Sequence, residues 1–338
     1  MSNKVSKNTL LMSNPPSIPF FSATVGSKEG EGPIGICFDT VEEDGYFGQD
    51  SWEKAESQMQ KMNIQNMLTK ANLSPSEIDL IFSGDIINQC TVSAFGLKEL
   101  NIPFLGIFGA CSTIAEGLLL AGLLADNGAA ASVIASTSSH FSTAERQFRF
   151  PLSYGKQPAP TAQWTCTGAG AALVTGSAAP PYIRAVSIGK IVDMNITDAN
   201  NMGAAMAPAA ADTIKSYFDA TQKQPPDYDF IVTGDLGTVG SALLIDLLKA
   251  DNIDISAKHK DCGVMIYDPE TQGTNAGGSG CGCGASVLCG FFLPKLQSGE
   301  IKNILFVGTG ALMSPLVTQQ GQSIPAIAHL LHISHMKE

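Results

Sequence analysis

The segment IDLIFSGDIINQCTVSAFGLKEL, Ile78 to Leu100, decides the fold once it is set beside YDFIVTGDLGTVGSALLIDLLKA, Tyr228 to Ala250. Each reads as a short apolar strand, a Gly-Asp turn and a helix, with Gly84-Asp85 in the first matched by Gly234-Asp235 in the second. Self-similarity of this kind points to a duplicated architecture. The elements that follow also correspond. A strand-like run from Leu105 leads through GACST into an apolar helix reaching Ala125, and GCGCGASVLCGFFLPKL, Gly280 to Leu296, is its second copy. The strands SVIASTSS (Ser132 to Ser139) and NILFVGTG (Asn303 to Gly310) then close the two series. Continuous apolar strands alternating with helices make a largely parallel sheet covered on both faces. Two such units predict an α/β protein built as a five-layer α-β-α-β-α sandwich, with residues 1–175 as the N-terminal half and 176–338 as the C-terminal half. Its middle layer is a pair of helices beginning near Cys111 and Cys281, apolar all round as helices between sheets must be. Asp39 to Met67 has helix-like periodicity anchored by Trp52. Ser142 to Gln163, rich in Arg, Phe, Pro and Gly, reads as a loop folded over a site.

Composition removes several function classes. The 338 residues are 44% hydrophobic and 15% charged, so the chain folds around a large core. A net charge of -11 with no basic cluster excludes nucleic-acid binding and disfavours direct attachment to anionic lipid. An anionic ligand would need a local basic pocket. No apolar run reaches the roughly 20 residues of a membrane span, and MSNKVSKNTLLMSN at the N-terminus lacks the apolar core of a secretory signal. Eight cysteines in apolar or glycine-rich contexts predict reduced thiols in a cytosolic compartment.

Cys111 follows FLGIFG and opens a long helix. A thiol there feels the positive end of the helix dipole and free backbone N–H groups, which favour thiolate and bind anions. A buried structural cysteine fits the position equally well. The duplicated frame favours a site, because both central helices must start near one pocket. ACST before an apolar helix resembles the nucleophile turn of thiolases and ketoacyl synthases. TGAGAALV (Thr167 to Val174) resembles their glycine-rich strand, and GTGALMSP (Gly308 to Pro315) the C-terminal glycine turn that helps form an oxyanion hole. The resemblance also implies partners that an active chain-initiating enzyme needs, a His after the first strand of the second half and an Asn before the second central helix. Here TGDLG puts Gly234 or Asp235 at the first place, and matching ASV to ASV puts Cys281 at the second. Without the imidazole, no base is in place to activate Cys111. Of the histidines, His140 follows a strand that can reach the pocket, His259 sits in a charged, solvated turn, and His329, His332 and His335 lie near the C-terminus.

The stretch SSHFSTAERQFRFPLSYGKQPAPTAQWT, Ser138 to Thr165, concentrates His140, Arg146, Arg149 and Lys156 with Phe148, Phe150, Tyr154 and Trp164. Guanidinium forks match carboxylates and aromatic faces stack on planar rings. A loop packing the two halves or a dimer, with its arginines ion-paired, is the competing reading. With VGSKEGEGPIG (Val25 to Gly35), FGQDSWEKAES (Phe47 to Ser57) and GACSTIAEG (Gly109 to Gly117), this stretch resembles the stage V sporulation protein AD family over almost the whole chain. The resemblance implies non-catalytic binding of dipicolinic acid, alone or as its calcium chelate, with no cofactor. It further implies uptake of the acid into the developing spore and release in germination. Membrane proteins of the same group would be its partners at the inner spore membrane, and the chain would be a homodimer. The expected ligand site comprises Arg146, Arg149 and Lys156 for charge, backbone N–H groups of Cys111 and Ser112, orienting contacts from His140 and Gln163, and Asp235 at the replaced histidine position. A thioester-handling enzyme using Cys111 alone, and an inert platform with an empty pocket, are the alternatives. The CGC at Cys281 to Cys283, the acidic run from Asp39 to Asp44 and GGSGCGCG (Gly277 to Gly284) read as a tight turn, a solvated loop and a close-packing helix start rather than as zinc, calcium or phosphate sites.

Overall fold

The computed structural model describes residues 2–148, 158–176 and 178–338. In the first half, the apolar repeats become β1 (Ser17–Gly26), α1 (Trp52–Ala71), β2 (Leu80–Gly84), α2 (Thr91–Leu97), β3 (Phe104–Gly106), α3 (Thr113–Asp126), β4 (Ser132–Ser139), α4 (Phe141–Phe148) and β5 (Gly168–Thr175). The second half follows with β6 (Tyr182–Ser187), α5 (Met202–Thr221), β7 (Phe230–Thr233), α6 (Gly237–Ala250), β8 (His259–Asp261), α7 (Cys281–Val287), α8 (Leu293–Ser298), β9 (Asn303–Ala311) and β10 (Ala326–Ser334).

Strand order carries the duplication. The first half runs β1-β5-β4-β2-β3 and the second β6-β10-β9-β7-β8, so each strand has its counterpart five positions later. The parallel pairs β2–β4 and β2–β3 recur as β7–β9 and β7–β8, and antiparallel β4–β5 recurs as β9–β10. One pair, Tyr182 with Ser17, joins the two sheets. Helix α1 packs on β1, β5 and β4, and α5 packs on β10 and β9, forming the outer layers. Between the sheets, α3 touches β4, β2 and β5 on one side and β9 and β10 on the other. The result is the five-layer sandwich.

The second central helix is not continuous. It passes from α7 through a π-helical turn, Leu288–Phe292, into α8. Pro294 lies in the first turn of α8 and has no N–H to give, so the ladder reforms around it. Every residue of α7 is buried. The stretch read from sequence as a loop after Ser142 is helical as far as Phe148, with Thr143 and Ala144 turned inward.

Candidate functional site

The turn before α3 is built by short polar links and close backbone approach. Ser112 Oγ donates to the Gly109 carbonyl at 2.6 Å, and Thr113 Oγ1 donates to the Ala110 carbonyl at 2.6 Å. Ala110 is held at φ 50°, a left-handed conformation costly for a residue with a side chain. That bend carries Cys111 out toward β9 and the start of α7. Gly310 of the GTGA strand must be glycine: a Cβ there would sit 2.2 Å from the Gly109 carbonyl oxygen. Gly280, at φ 103°, makes the matching bend before α7 and sets Ser279 against the thiol.

Cys111 Sγ and Ser279 Oγ are 3.9 Å apart. Ser279 Oγ donates in turn to Asp235 Oδ2 at 2.9 Å, where the Gly280 N–H also donates at 3.0 Å. Thr309 Oγ1 donates to Asp235 Oδ1 at 2.9 Å. The Asp235 carboxyl lies close enough behind Ser279 for its charge to act on the Cys111 thiol. Burial pushes this carboxyl above the usual range, against the opposing pull of its donors. Burial, then the Asp235 charge and the neighbouring Cys281, push the Cys111 thiol well above its ordinary value. The thiolate expected from the helix dipole is therefore reversed in sign: a buried site beside a carboxyl group holds the protonated thiol.

In front of Cys111 lies a cavity of about 160 Å³. Its apolar wall comprises Ile86, Phe108, Ala144, Phe148, Met202 and Met313, and its polar groups come from Ser279, Thr165, Asn200 and Glu145. Both halves of the chain and helix α4 contribute, so the cavity sits where the duplicated sheets meet the inter-half segment.

The five histidines are engaged elsewhere. His140 Nε2 pairs with the Gly45 carbonyl at 2.8 Å, and its ring packs 5.5 Å from Trp52. His259, expected in a solvated turn, is on β8 with Nε2 2.9 Å from Thr233 Oγ1, and burial depresses it to about 4. His329 Nδ1 accepts from the Gly189 N–H, His332 Nε2 meets Asn303 Oδ1, and His335 Nδ1 meets the Leu296 carbonyl.

The family model for stage V sporulation protein AD matches residues 6–334. The chain belongs to the stage V sporulation protein AD family. It is 43% identical over 323 residues to Stage V sporulation protein AD of Bacillus subtilis (strain 168), covering 96% of this chain and 95% of that one. Among solved structures it resembles 3-oxoacyl-[acyl-carrier-protein] synthase III from Aquifex aeolicus VF5, with a TM-score of 0.58 at 15% identity over 94% of this chain and 99% of that one. Cerulenin-bound OleA of Xanthomonas campestris matches with a TM-score of 0.61 at 15% identity, over 95% of this chain and 96% of that one. At these identities the likeness is one of fold. The chain is thus a sporulation-family protein on a thiolase-like frame.

Within this stage V sporulation protein AD family member, the site residues expected from sequence separate into groups. Cys111 lines the cavity, and Asp235 stands behind it through Ser279. Ser112 is close by, but its N–H donates to the Gly109 carbonyl at 3.1 Å, so it is spent within the turn. Gln163 Nε2 donates to the Asp235 and Gly278 carbonyls, both at 2.7 Å, and holds the glycine turn rather than lining the cavity. Arg146 forms a two-pronged ion pair with Glu53 of α1 on the surface, because α4 points it toward α1 and away from Cys111. Arg149 and Lys156 lie outside the described residues. Cys281, matched by eye to the asparagine place, donates its thiol to the Ala110 carbonyl at 3.0 Å. The residue that faces Cys111 is Ser279, two positions earlier. Its only sequence signal was its place just before the glycine that turns the chain into α7.

Proposed function

We propose that the cavity in front of Cys111 binds dipicolinic acid without turning it over, serving uptake of the acid into the developing spore and its release in germination. The observation that carries this reading is the thiol's setting. Cys111 meets a hydroxyl and a buried carboxyl, Ser279 and Asp235, where acyl transfer needs a base to form thiolate. Size supports it: an apolar cavity of about 150 Å³ holds one benzene ring, and this one, at about 160 Å³, is of that scale. Ala110 and Cys111, in the turn that opens α3, line the cavity, so the positive end of that helix's dipole lies beside it. Arg149 and Lys156, in the segment after α4, are the proposed cationic partners, with calcium entering as the chelated counter-ion.

The protein would work at the inner spore membrane beside membrane-embedded partners of its own group. No described helix is long and apolar enough to cross a membrane. The proposed homodimer has a fitting surface. Strand β3 ends its sheet with Phe104 and Leu105 exposed, and Phe108 beside them also lines the cavity. A second copy seated there would cover apolar area and close the pocket.

Calorimetric titration of dipicolinate into the wild-type chain and into Met313→Trp, which fills the cavity mouth, tests the reading. Saturable binding in the wild type and its loss in the folded variant are expected. Absence of heat at millimolar ligand, or a stable acyl adduct on Cys111 after incubation with acyl-coenzyme A, would overturn it.

A further inference from the structure

On the face of the second half remote from Cys111, a cleft of about 720 Å³ opens between the N-terminal segment, β6, the end of α5 and β10. That is the size range of small-molecule sites, roughly 300–1,000 Å³. Its rim carries Arg184, Lys223 and Lys337, a local excess of cations in a chain of net charge -11. Glu338 is the acidic side chain on the lining, and Asp227 lies close to the tyrosines inside. Among the described residues none of the three cations is ion-paired, although seven other lysines and Arg146 are. Arg184 donates from Nη1 to the Met336 carbonyl at 3.2 Å, which fixes its guanidinium at the cleft edge.

The interior adds a stacking surface and neutral donors. Tyr217 and Tyr228 share a hydrogen bond between hydroxyls at 2.9 Å, and the His332 ring stands edge-on to Tyr228 at 5.2 Å. Burial raises Tyr228 to about 12, so both hydroxyls keep their protons. Burial first, then the fields of Arg184 and Lys223, hold His332 down at about 3, so it adds no charge of its own. Leu11, Met12 and Pro15 supply an apolar wall. Positive groups at a rim that the protein leaves unneutralised, above an aromatic and apolar floor, fit a compact organic molecule with two negative charges.

The geometry points to a second ligand site in this cleft, for a soluble organic dianion whose acidic groups meet Arg184, Lys223 and Lys337 and whose body lies against Tyr228 and Met12. A dicarboxylate and a phosphate ester share the required chemistry. A soluble source is favoured over a lipid headgroup because the whole chain is acidic and an anionic bilayer repels it. The site stands apart from the Cys111 cavity and does not depend on what that cavity holds.

Benzene-1,3-dicarboxylate and phenyl phosphate, titrated calorimetrically into the full chain, are the probes, with flotation on phosphatidylglycerol vesicles as a parallel arm. At least one soluble probe binds saturably. The double variant Lys223→Glu/Lys337→Glu, both exposed positions, weakens that binding by about tenfold or more while circular dichroism stays unchanged. Met313→Trp, which plugs the Cys111 cavity, leaves it intact. The proposal fails if neither probe binds at millimolar concentration, if charge reversal has no effect, if Met313→Trp removes the binding, or if only vesicles are bound.

Discussion

At Cys111 the chemistry turns on side chains brought up from remote parts of the chain rather than on the residue itself. The thiol is buried beside Ser279 and Asp235, and both burial and charge oppose ionisation. Alkylation by iodoacetamide at neutral pH should therefore be slower at Cys111 than at the partly exposed Cys37 and Cys90. Asp235→Asn, which removes the repelling charge and keeps the shape, should speed it. The carboxyl itself is structural: Ser279 Oγ, the Gly280 N–H and Thr309 Oγ1 all donate to it. Asp235→Ala strands these buried donors and should cost about 3 kcal/mol in chemical denaturation. Sequence drew attention to Cys111 and Asp235 because each follows a strand of the duplicated frame; Cys111 lines the cavity, whereas Asp235 stands behind it through Ser279. It could not place Ser279, since what aims that hydroxyl is the φ of Gly280, and backbone dihedrals leave no mark on residue order.

Between elements, helix α4 forms a wall of the cavity through Ala144 and Phe148, and a buried acid ties it down. Glu56 of α1 accepts from Ser138 Oγ of β4 and Thr143 Oγ1 of α4. Burial, then the nearby Asp85 and Glu53 charges, raise it from 4.5 to about 8. Asp85 is itself raised, mainly by burial, and accepts from Ser93 and the Ile87 N–H. A carboxyl raised on folding binds its proton more tightly in the native state, so stability is full below the unfolded value of 4.5 and is lost as pH climbs to about 8. Thermal unfolding should show a melting temperature that falls across this window in the wild type and falls less in Glu56→Gln. The strands that frame this contact were legible because period and apolar runs are local signals; Ser132–Ser139 matches its expected bounds. Helix α4 was read as loop because its composition is that of a surface segment. The π turn before Pro294 was hidden inside an unbroken apolar run.

For the whole molecule, two copies of one strand order face each other across α3 and α7, and the pocket lies on the seam. Sequence repetition made the architecture readable from the start. The electrostatics did not follow from it, since Arg146 spends its charge on Glu53 and the described cavity wall carries no Lys or Arg. The sheet edge at β3 leaves Phe104, Leu105 and Phe108 at 37%, 52% and 49% exposure. If a second copy covers that edge, Leu105→Glu should convert a dimer to a monomer in sedimentation velocity without altering the circular dichroism.

The central claim is that the Cys111 cavity survives as a binding chamber and has ceased to be a reaction chamber. A crystal soaked in dipicolinate tests it most directly. The account predicts density for one planar ring between Phe148, Met313 and Ser279, with the Cys111 sulfur unmodified. Ligand density solely at other places, with that cavity empty, would contradict it.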